Sequence, residues 1–246
     1  MRGSGRRLPH PAGYGPFVPI LDMEPPHRRR ITSNAVGIGL ATGAYALSFG
    51  AISVASGLNV WQTQTLSLLM FTGASQFALV GVLGAGGGAI AAILTAWLLG
   101  ARNGLYALSL APVLEVRGLR RLGAAQLTID ESTAMALAHP EPVAAARHAF
   151  WTTGLSVFVL WNIGTFAGSF GASLIDNPAS LGLDAAIPAG FLALLWPRLV
   201  DRTMWAVAAA GATVALVLTP LLRPGLPVLA AGLVALAASW LIGRRA

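Results

Sequence analysis

The chain has 246 residues, of which 55% are hydrophobic and 10% are charged, and its mean hydropathy is +0.69. Soluble domains carry roughly 25% charged residues, so this composition excludes a soluble globular domain and predicts an integral membrane protein. The chain contains no cysteine, which excludes disulfides, thiolate metal sites and cysteine nucleophiles. Its net charge of +7 comes from arginines at the ends of apolar segments, a pattern typical of cytoplasmic loops and not of nucleic-acid binding.

Residues 1–33 are rich in arginine and proline and contain no long apolar run. We expect a disordered cytoplasmic tail here, anchored by arginines 28–30, and no secretory signal. Residues 34–246 form the predicted transmembrane transporter domain.

Seven apolar segments follow the tail. They cover residues 35–56, 60–83, 86–113, 148–174, 184–200, 203–222 and 226–242. A helix of about 20 residues crosses the bilayer core, so the long segments predict an all-α membrane protein. The polar stretch 114–147 lies between the third and fourth segments and predicts one or two amphipathic helices.

The arginines predict the orientation of these segments. Cytoplasmic loops concentrate positive charge. The clusters that should share the cytoplasmic side are arginines 28–30, the three at 117–121, the pair at 198 and 202, and the pair at 244 and 245. Seven full crossings would separate the two termini, so one segment before residue 114 must enter and leave on the same side. The best candidate is 60–83, which carries many polar residues.

The predicted architecture is therefore about six transmembrane helices plus one re-entrant or broken helical element. The protein should lie in a bacterial plasma (inner) membrane with both termini in the cytoplasm. Seven plain helices with a weak charge bias are the alternative.

The segment 60–83 contains a polar cluster formed by Thr72, Gly73, Ser75 and Gln76. Gly73 lets the backbone bend, and the hydroxyl and amide groups can bind a zwitterion or satisfy freed backbone groups. As a functional feature, this is the broken tip of a half-helix at a substrate site, as in many secondary transporters. Packing between helices explains the same residues equally well.

Arg102 and Asn103 lie within the apolar segment 86–113. An arginine there costs about 2.5–3.5 kcal/mol on insertion scales, so it tends to face protein or water. Its forked guanidinium could bind a substrate carboxylate, with Asn103 beside it. Snorkelling to the interface is the alternative.

Asp130 and Glu131 are adjacent acids in the polar stretch and point to different faces of a helix. The pattern favours a helix start, with Thr128 as N-cap and Glu131 completing a capping box. The alternative is a gate in which an acid pairs with Arg102 or with an arginine at 117–121.

Two further polar residues lie in or near the later apolar segments. Asn162 is more typical of an interhelical hydrogen bond than of a ligand contact, and it is kept as a substrate-binding candidate. Asp184 precedes Pro188 and is most simply a helix-start carboxylate, with proton coupling as its alternative role.

Signatures of catalysis are missing from the sequence. It has no HExxH motif, no GxSxG motif and no Walker lysine, and its four histidines lack metal-ligand spacing. We therefore expect no enzyme activity, no metal, no cofactor and no nucleotide site.

Four stretches of the chain resemble the AzlC family, the large subunit of bacterial branched-chain amino acid exporters. The stretches are 50–58 leading into Ser-Leu-Leu-Met-Phe-Thr-Gly-Ala-Ser-Gln-Phe at 67–77, then 102–106 with 109–112, 127–131, and 182–195. Two departures matter. Gly100 and Asn103 replace the Asn and His of the family's Asn-x-Arg-His motif, and Thr42-Gly43-Ala44 replaces the proline usual in the first span, so substrate or proton coupling can differ from that of other members.

The resemblance implies a proton-driven secondary transporter that exports branched-chain amino acids or methionine. It also implies a heteromeric complex with a small, four-span AzlD-like membrane subunit. A scaffold subunit without transport activity, and a channel, are the alternatives that the residues leave open.

Overall fold

The computed structural model describes residues 24–175, 192, 195, 196, 199–223 and 225–243. These residues form nine helices and no strand, as the predicted fold class requires. The helices are α1 (Pro25–Ala55), α2 (Val60–Leu69), α3 (Ala74–Gly84), α4 (Ala89–Leu114), α5 (Leu119–Leu127), α6 (Asp130–Leu137), α7 (Val143–Ser173), α8 (Arg202–Leu218) and α9 (Leu226–Gly243). Asp184 and most of the predicted segment 184–200 lie outside the described residues.

The first helix begins earlier than the composition predicts. α1 starts at Pro25, so residues 25–33 are helical although we expected a tail up to residue 33. Proline fits the first turn of a helix because the N–H group that it lacks would have no partner there. The rest of the predicted tail, residues 1–23, lies outside the described part of the chain.

Two helices, α1 and α7, are each long and apolar enough to cross a membrane, judged over the described residues. They pack together in parallel. Thr32 bonds to His148 near the start of both helices, at 3.0 Å. Further along, a Cβ on Gly164 would collide with the carbonyl oxygen of Gly43, and Gly168 meets the backbone of α1 in the same way. Small residues four positions apart, Gly39 with Gly43 and Gly164 with Gly168, predict close packing of membrane helices, and these contacts confirm it.

Because α1 and α7 are parallel, they begin at the same end of the bundle, which we call the basic end. α4 finishes there too. Arg147, in the first turns of α7, donates from Nε to the carbonyl oxygen of Val113 at 2.7 Å and forms an ion pair with Glu115 at 2.7 Å. Arginines 28–30 and the arginines at 117, 120 and 121 therefore lie at one end, as the charge pattern predicts. The opposite end of the bundle is called the far end below.

The segment 60–83 is broken, as predicted, and it enters and leaves at the far end. Trp61 at the start of α2 contacts Phe166 of α7. Phe71, just after the end of α2, contacts Phe158 of α7, which is closer to the basic end. α3 then runs back, and Gly84 at its end lies against Ser56, the residue that follows α1. We call α2 and α3 the first hairpin. The predicted total of about six crossings stays a prediction.

A second pair of short helices, α5 and α6, enters the bundle from the basic end. The polar pattern of residues 114–147 predicts one or two amphipathic helices but not their insertion. Leu127 at the end of α5 packs against Gly154 of α7, and Asp130 reaches Arg102 of α4. A helix rises about 1.5 Å per residue, so Arg102 lies roughly 17 Å along α4 from Val113 at the basic end. We call α5 and α6 the second hairpin.

The two halves of the N-terminal region repeat one pattern in opposite orientations. α1 runs from the basic end to the far end and is followed by a hairpin inserted from the far end. α4 runs from the far end to the basic end and is followed by a hairpin inserted from the basic end. Residues 25–84 and 89–137 thus form an inverted pair, an arrangement that recurs in secondary transporters.

Candidate functional site

The tip of the first hairpin is a four-residue interruption between α2 and α3. Gly73 adopts φ +58° at this point, a conformation that costs glycine little because it has no Cβ. The side chain of Gln76 closes the break from both sides. Its Oε1 accepts from the Gly73 N–H at 3.1 Å, and its Nε2 donates to the carbonyl oxygen of Leu66 at 3.4 Å. One buried amide therefore satisfies groups on both half-helices.

Ser132 performs the same task at the tip of the second hairpin. Its Oγ accepts from the Ile129 N–H at 3.1 Å and donates to the carbonyl oxygen of Leu127 at 2.6 Å. The predicted capping box is therefore wrong. Thr128 instead donates back to Ala124 at 2.7 Å, because the chain turns within the protein and leaves its hydroxyl against α5.

The two tips are joined to each other. Gln126, near the end of α5, donates to the carbonyl oxygen of Leu68 in the last turn of α2 at 2.8 Å. The last four carbonyl groups of a helix have no partner within it, so Gln126 satisfies one of those of α2. A movement of either hairpin tip must therefore break this bond or carry the other tip along.

A cavity of about 430 Å³ lies where the two tips meet α1, α4 and α7. We call it the tip cavity. Its lining residues are Ala41, Thr42, Tyr45, Phe71, Thr72, Gly73, Ala74, Leu99, Arg102, Ile129, Asp130, Glu131, Val157, Trp161 and Leu195. Cavities that bind small molecules have volumes of about 300–1,000 Å³ and combine apolar walls with a few polar groups. The tip cavity fits both criteria.

Four polar atoms in the cavity wall are buried without a hydrogen-bond partner among the described residues. They are Tyr45 Oη, Thr72 Oγ1, Arg102 Nε and Trp161 Nε1. A buried polar group left unsatisfied costs about 1–3 kcal/mol, so such groups are rare in native structures. Four of them around one cavity are the signature of groups that await a polar ligand.

Arg102 and Asp130 form an ion pair in the wall of the tip cavity. Arg102 Nη1 lies 2.9 Å from Asp130 Oδ2, and about a quarter of each side chain is exposed. This pairing is the gate alternative from the sequence, and Arg102 does not snorkel towards the end of α4. The arginine keeps Nε unpaired while Nη1 contacts the acid, so it retains a donor for a second anion.

Beyond the ion pair lies a second cavity, of about 400 Å³, which we call the vestibule. It is lined by Tyr106, Asp130, Glu131, Thr133, Ala134 and Leu137. Tyr106 and Leu137 are nearer the basic end than Arg102 and Asp130 are. The acids border both cavities, so the ion pair stands between the tip cavity and the vestibule.

A family model described as AzlC protein matches residues 37–175. The chain belongs to the AzlC family. The match spans α2 to α6 completely and includes both hairpin tips and every lining residue of the tip cavity except Leu195. No curated protein and no solved structure matches the chain. Membership in the AzlC family indicates a membrane protein with a transport-related function, and this family is generally associated with an AzlD partner.

The site candidates from the sequence divide into two groups in this AzlC-family structure. Thr72, Gly73, Arg102, Asp130 and Glu131 line the tip cavity. The others lie outside its lining: Ser75, Gln76, Asn103 and Asn162.

Each residue of the second group has a different setting. Gln76 closes the helix break. Ser75 is fully buried beside Gly100. Asn162 accepts from Gln64 Nε2 at 3.1 Å, which is the interhelical bond favoured by the sequence. Asn103 Oδ1 is buried with no partner among the described residues.

Sequence reasoning missed Tyr45 and Trp161. The available signal is weak, because aromatic residues with a polar tip are common in membrane helices. Their place in the site depends on packing. Tyr45, Phe49, Phe77 and Trp161 form one aromatic cluster, with the Tyr45 and Trp161 ring centres 6.2 Å apart. Packing within this cluster holds the Tyr45 hydroxyl and the Trp161 indole N–H in the cavity wall.

Proposed function

We propose that this chain is the large subunit of a secondary transporter that exports hydrophobic amino acids across the bacterial plasma membrane. One observation carries the proposal. Two hairpins of short helices, inserted from opposite ends, meet at a cavity whose wall contains four buried polar atoms with no hydrogen-bond partner in the described part of the chain. Inverted repeats with broken helices around a central site characterise secondary transporters.

The cavity suits the chemistry of a hydrophobic amino acid. Arg102 offers a free Nε donor and a guanidinium for the substrate carboxylate, which it can bind through two parallel hydrogen bonds. Glu131 offers a carboxylate for the ammonium group. Phe71, Leu99 and other apolar lining residues surround the side chain. Branched-chain amino acids and methionine are the substrates that we propose.

The ion pair serves as the gate in this mechanism. A substrate carboxylate that binds Arg102 competes with Asp130 and weakens the contact between α4 and the second hairpin. The substrate can then pass from the vestibule at the basic end to the tip cavity. The charge pattern favours a cytoplasmic location for the basic end and both termini, and with this orientation the direction is export. The acids that border both cavities are the proposed carriers of the coupled proton, and no catalytic chemistry or cofactor is needed.

A flux measurement tests the proposal. The chain is co-expressed with an AzlD-type subunit, reconstituted into liposomes and assayed for efflux of labelled leucine, isoleucine, valine and methionine, with and without an imposed pH gradient. We expect flux that the gradient accelerates. R102Q should lose most of this flux, since charge-assisted hydrogen bonds contribute about 1.5–3 kcal/mol, or roughly tenfold or more.

The matched control is R223Q. Arg223 is exposed, and it lies near the far end because Gly225, two residues later, packs against Val82 and Ala91. This variant should transport like the wild type. Absence of flux from the complete two-subunit complex would favour a scaffold subunit. Wild-type flux in R102Q at equal membrane abundance would reject the site assignment.

A further inference from the structure

The first turn of α5 presents a surface that neither the tip cavity nor the gate uses. Leu119 and Leu122 lie one turn apart and are 85% and 68% exposed. Arg120 and Arg121 lie between them and are exposed as well. The other face of α5 is buried through Ala124 and Leu127. A short helix with exposed leucines and arginines at one end of a membrane protein matches the chemistry of the bilayer interface.

The arginines on this surface have no acidic partner in the described part of the chain. Arg117, Arg120 and Arg121 make no ion pair with any of the described residues. The closest acid in sequence is Glu115, and it is already paired with Arg147 at 2.7 Å. Three unneutralised guanidinium groups therefore face outward at the basic end. Arginine favours oxyanions such as phosphate because its planar guanidinium fork donates two parallel hydrogen bonds.

We propose that the first turn of α5, with Arg117, Arg120 and Arg121, binds the phosphate headgroups of anionic phospholipids. Leu119 and Leu122 insert at the boundary between headgroups and acyl chains. Charge complementarity supports this ligand, since the phosphate of phosphatidylglycerol is an anionic partner for the three arginines. The exposed leucines favour a ligand with acyl chains over a free phosphate ion.

This surface is connected directly to the substrate site. α5 has only nine residues, and its other end holds Leu68 of the first hairpin through Gln126 at 2.8 Å. A headgroup that fixes the first turn of α5 thereby fixes the position of both hairpin tips. Anionic lipid should therefore increase transport, and this consequence rests on the proposed function, whereas lipid binding does not.

Native mass spectrometry of the detergent-purified two-subunit complex tests the binding. Phosphatidylglycerol and phosphatidylcholine are added in equal amounts, and the bound lipids are counted. Each basic residue near an anionic surface changes binding by about fivefold, so R120Q/R121Q should reduce the preference for phosphatidylglycerol by roughly thirtyfold. The preference should also weaken in high salt. R223Q, at the far end, should retain the wild-type preference.

An unchanged lipid preference in R120Q/R121Q would overturn the proposal. If that variant instead lost the AzlD-type subunit, the surface would belong to a protein interface. Liposomes with and without phosphatidylglycerol then measure the consequence for transport, with Q126A as the variant that keeps the arginines but cuts the connection. Lipid preference without amino-acid flux in any liposome would reject the proposed function and leave the lipid site intact.

Discussion

Arg102 and Asp130 belong to two elements of the same half of the inverted pair, and their side chains meet at 2.9 Å. Arg102 is on the long helix of the second half, and Asp130 begins the helix that returns from the tip of the second hairpin. Both side chains line the tip cavity. Under the proposed function, Arg102 contacts the substrate and its ion pair with Asp130 closes the path to the vestibule.

The first prediction concerns the competition for Arg102. D130N removes the charge that competes with a substrate carboxylate, so substrate should bind more tightly. Partly exposed ion pairs contribute about 0.2–1 kcal/mol, which corresponds to a gain of up to about fivefold. Transport should fall at the same time, because the pair cannot re-form to close the gate. Equilibrium binding in detergent and efflux from liposomes give the two values, and a parallel loss of both would contradict the gate.

The second prediction concerns the unpartnered hydroxyl of Tyr45. Y45F removes only this oxygen, which has no partner among the described residues. The melting temperature should stay the same or rise, while substrate affinity should fall by about two- to tenfold, the range of one neutral hydrogen bond. Thermal unfolding and binding are measured on the same preparation. A lower melting temperature with unchanged affinity would show that the hydroxyl serves the fold.

The third prediction compares the two hairpin tips. Q76A and S132A each leave a backbone N–H and a carbonyl group without their side-chain partner, at a cost of about 1–3 kcal/mol. Both variants should unfold several degrees below the wild type. S109A is the control, because Ser109 makes one exposed bond to its own helix at 3.1 Å. Equal stability of S109A, Q76A and S132A would show that the Gln76 and Ser132 side chains do not stabilise the hairpin tips.

The fourth prediction concerns the contact between α1 and α7. A methyl group at Gly164 collides with the carbonyl oxygen of Gly43, so G164A should destabilise the protein by about 1–3 kcal/mol or prevent its accumulation in the membrane. Gly171 is on the same helix and has nothing within 4 Å of its Cβ position. G171A should therefore accumulate normally. Similar membrane levels of the two variants, measured by in-gel fluorescence, would contradict the close approach.

Much of the fold was predictable from the sequence because apolar segments and arginine clusters can be located without knowing which residues are in contact. The break near Gly73 followed from counting crossings against the arginine clusters, and the glycines of α1 and α7 followed from their spacing. The insertion of α5 and α6 was not predictable in this way. Their sequence is polar enough for a surface loop, and its burial depends on contacts with Gly154 and Arg102 that are distant in the chain.

The candidate site shows the same division. Thr72 and Arg102 were predictable because polar residues within apolar segments are costly. The roles of Gln76 and Ser132 were not, since the side chains that close a helix break resemble those that bind a ligand. Only the distances to the Leu66 and Leu127 carbonyl oxygens distinguish the two roles.

The attachment of the first hairpin to α7 has a consequence for biosynthesis. Gln64 and Ser67 of α2 bond to Asn162 and Thr165, at 3.1 and 3.3 Å, across 98 residues of sequence. When α2 leaves the ribosome, α7 has not yet been made. The polar side chains of α2 are costly in lipid without partners, so we expect this segment to stay with the insertion machinery or in contact with water until α7 arrives. The first hairpin is thus an early product of translation and a late addition to the folded protein.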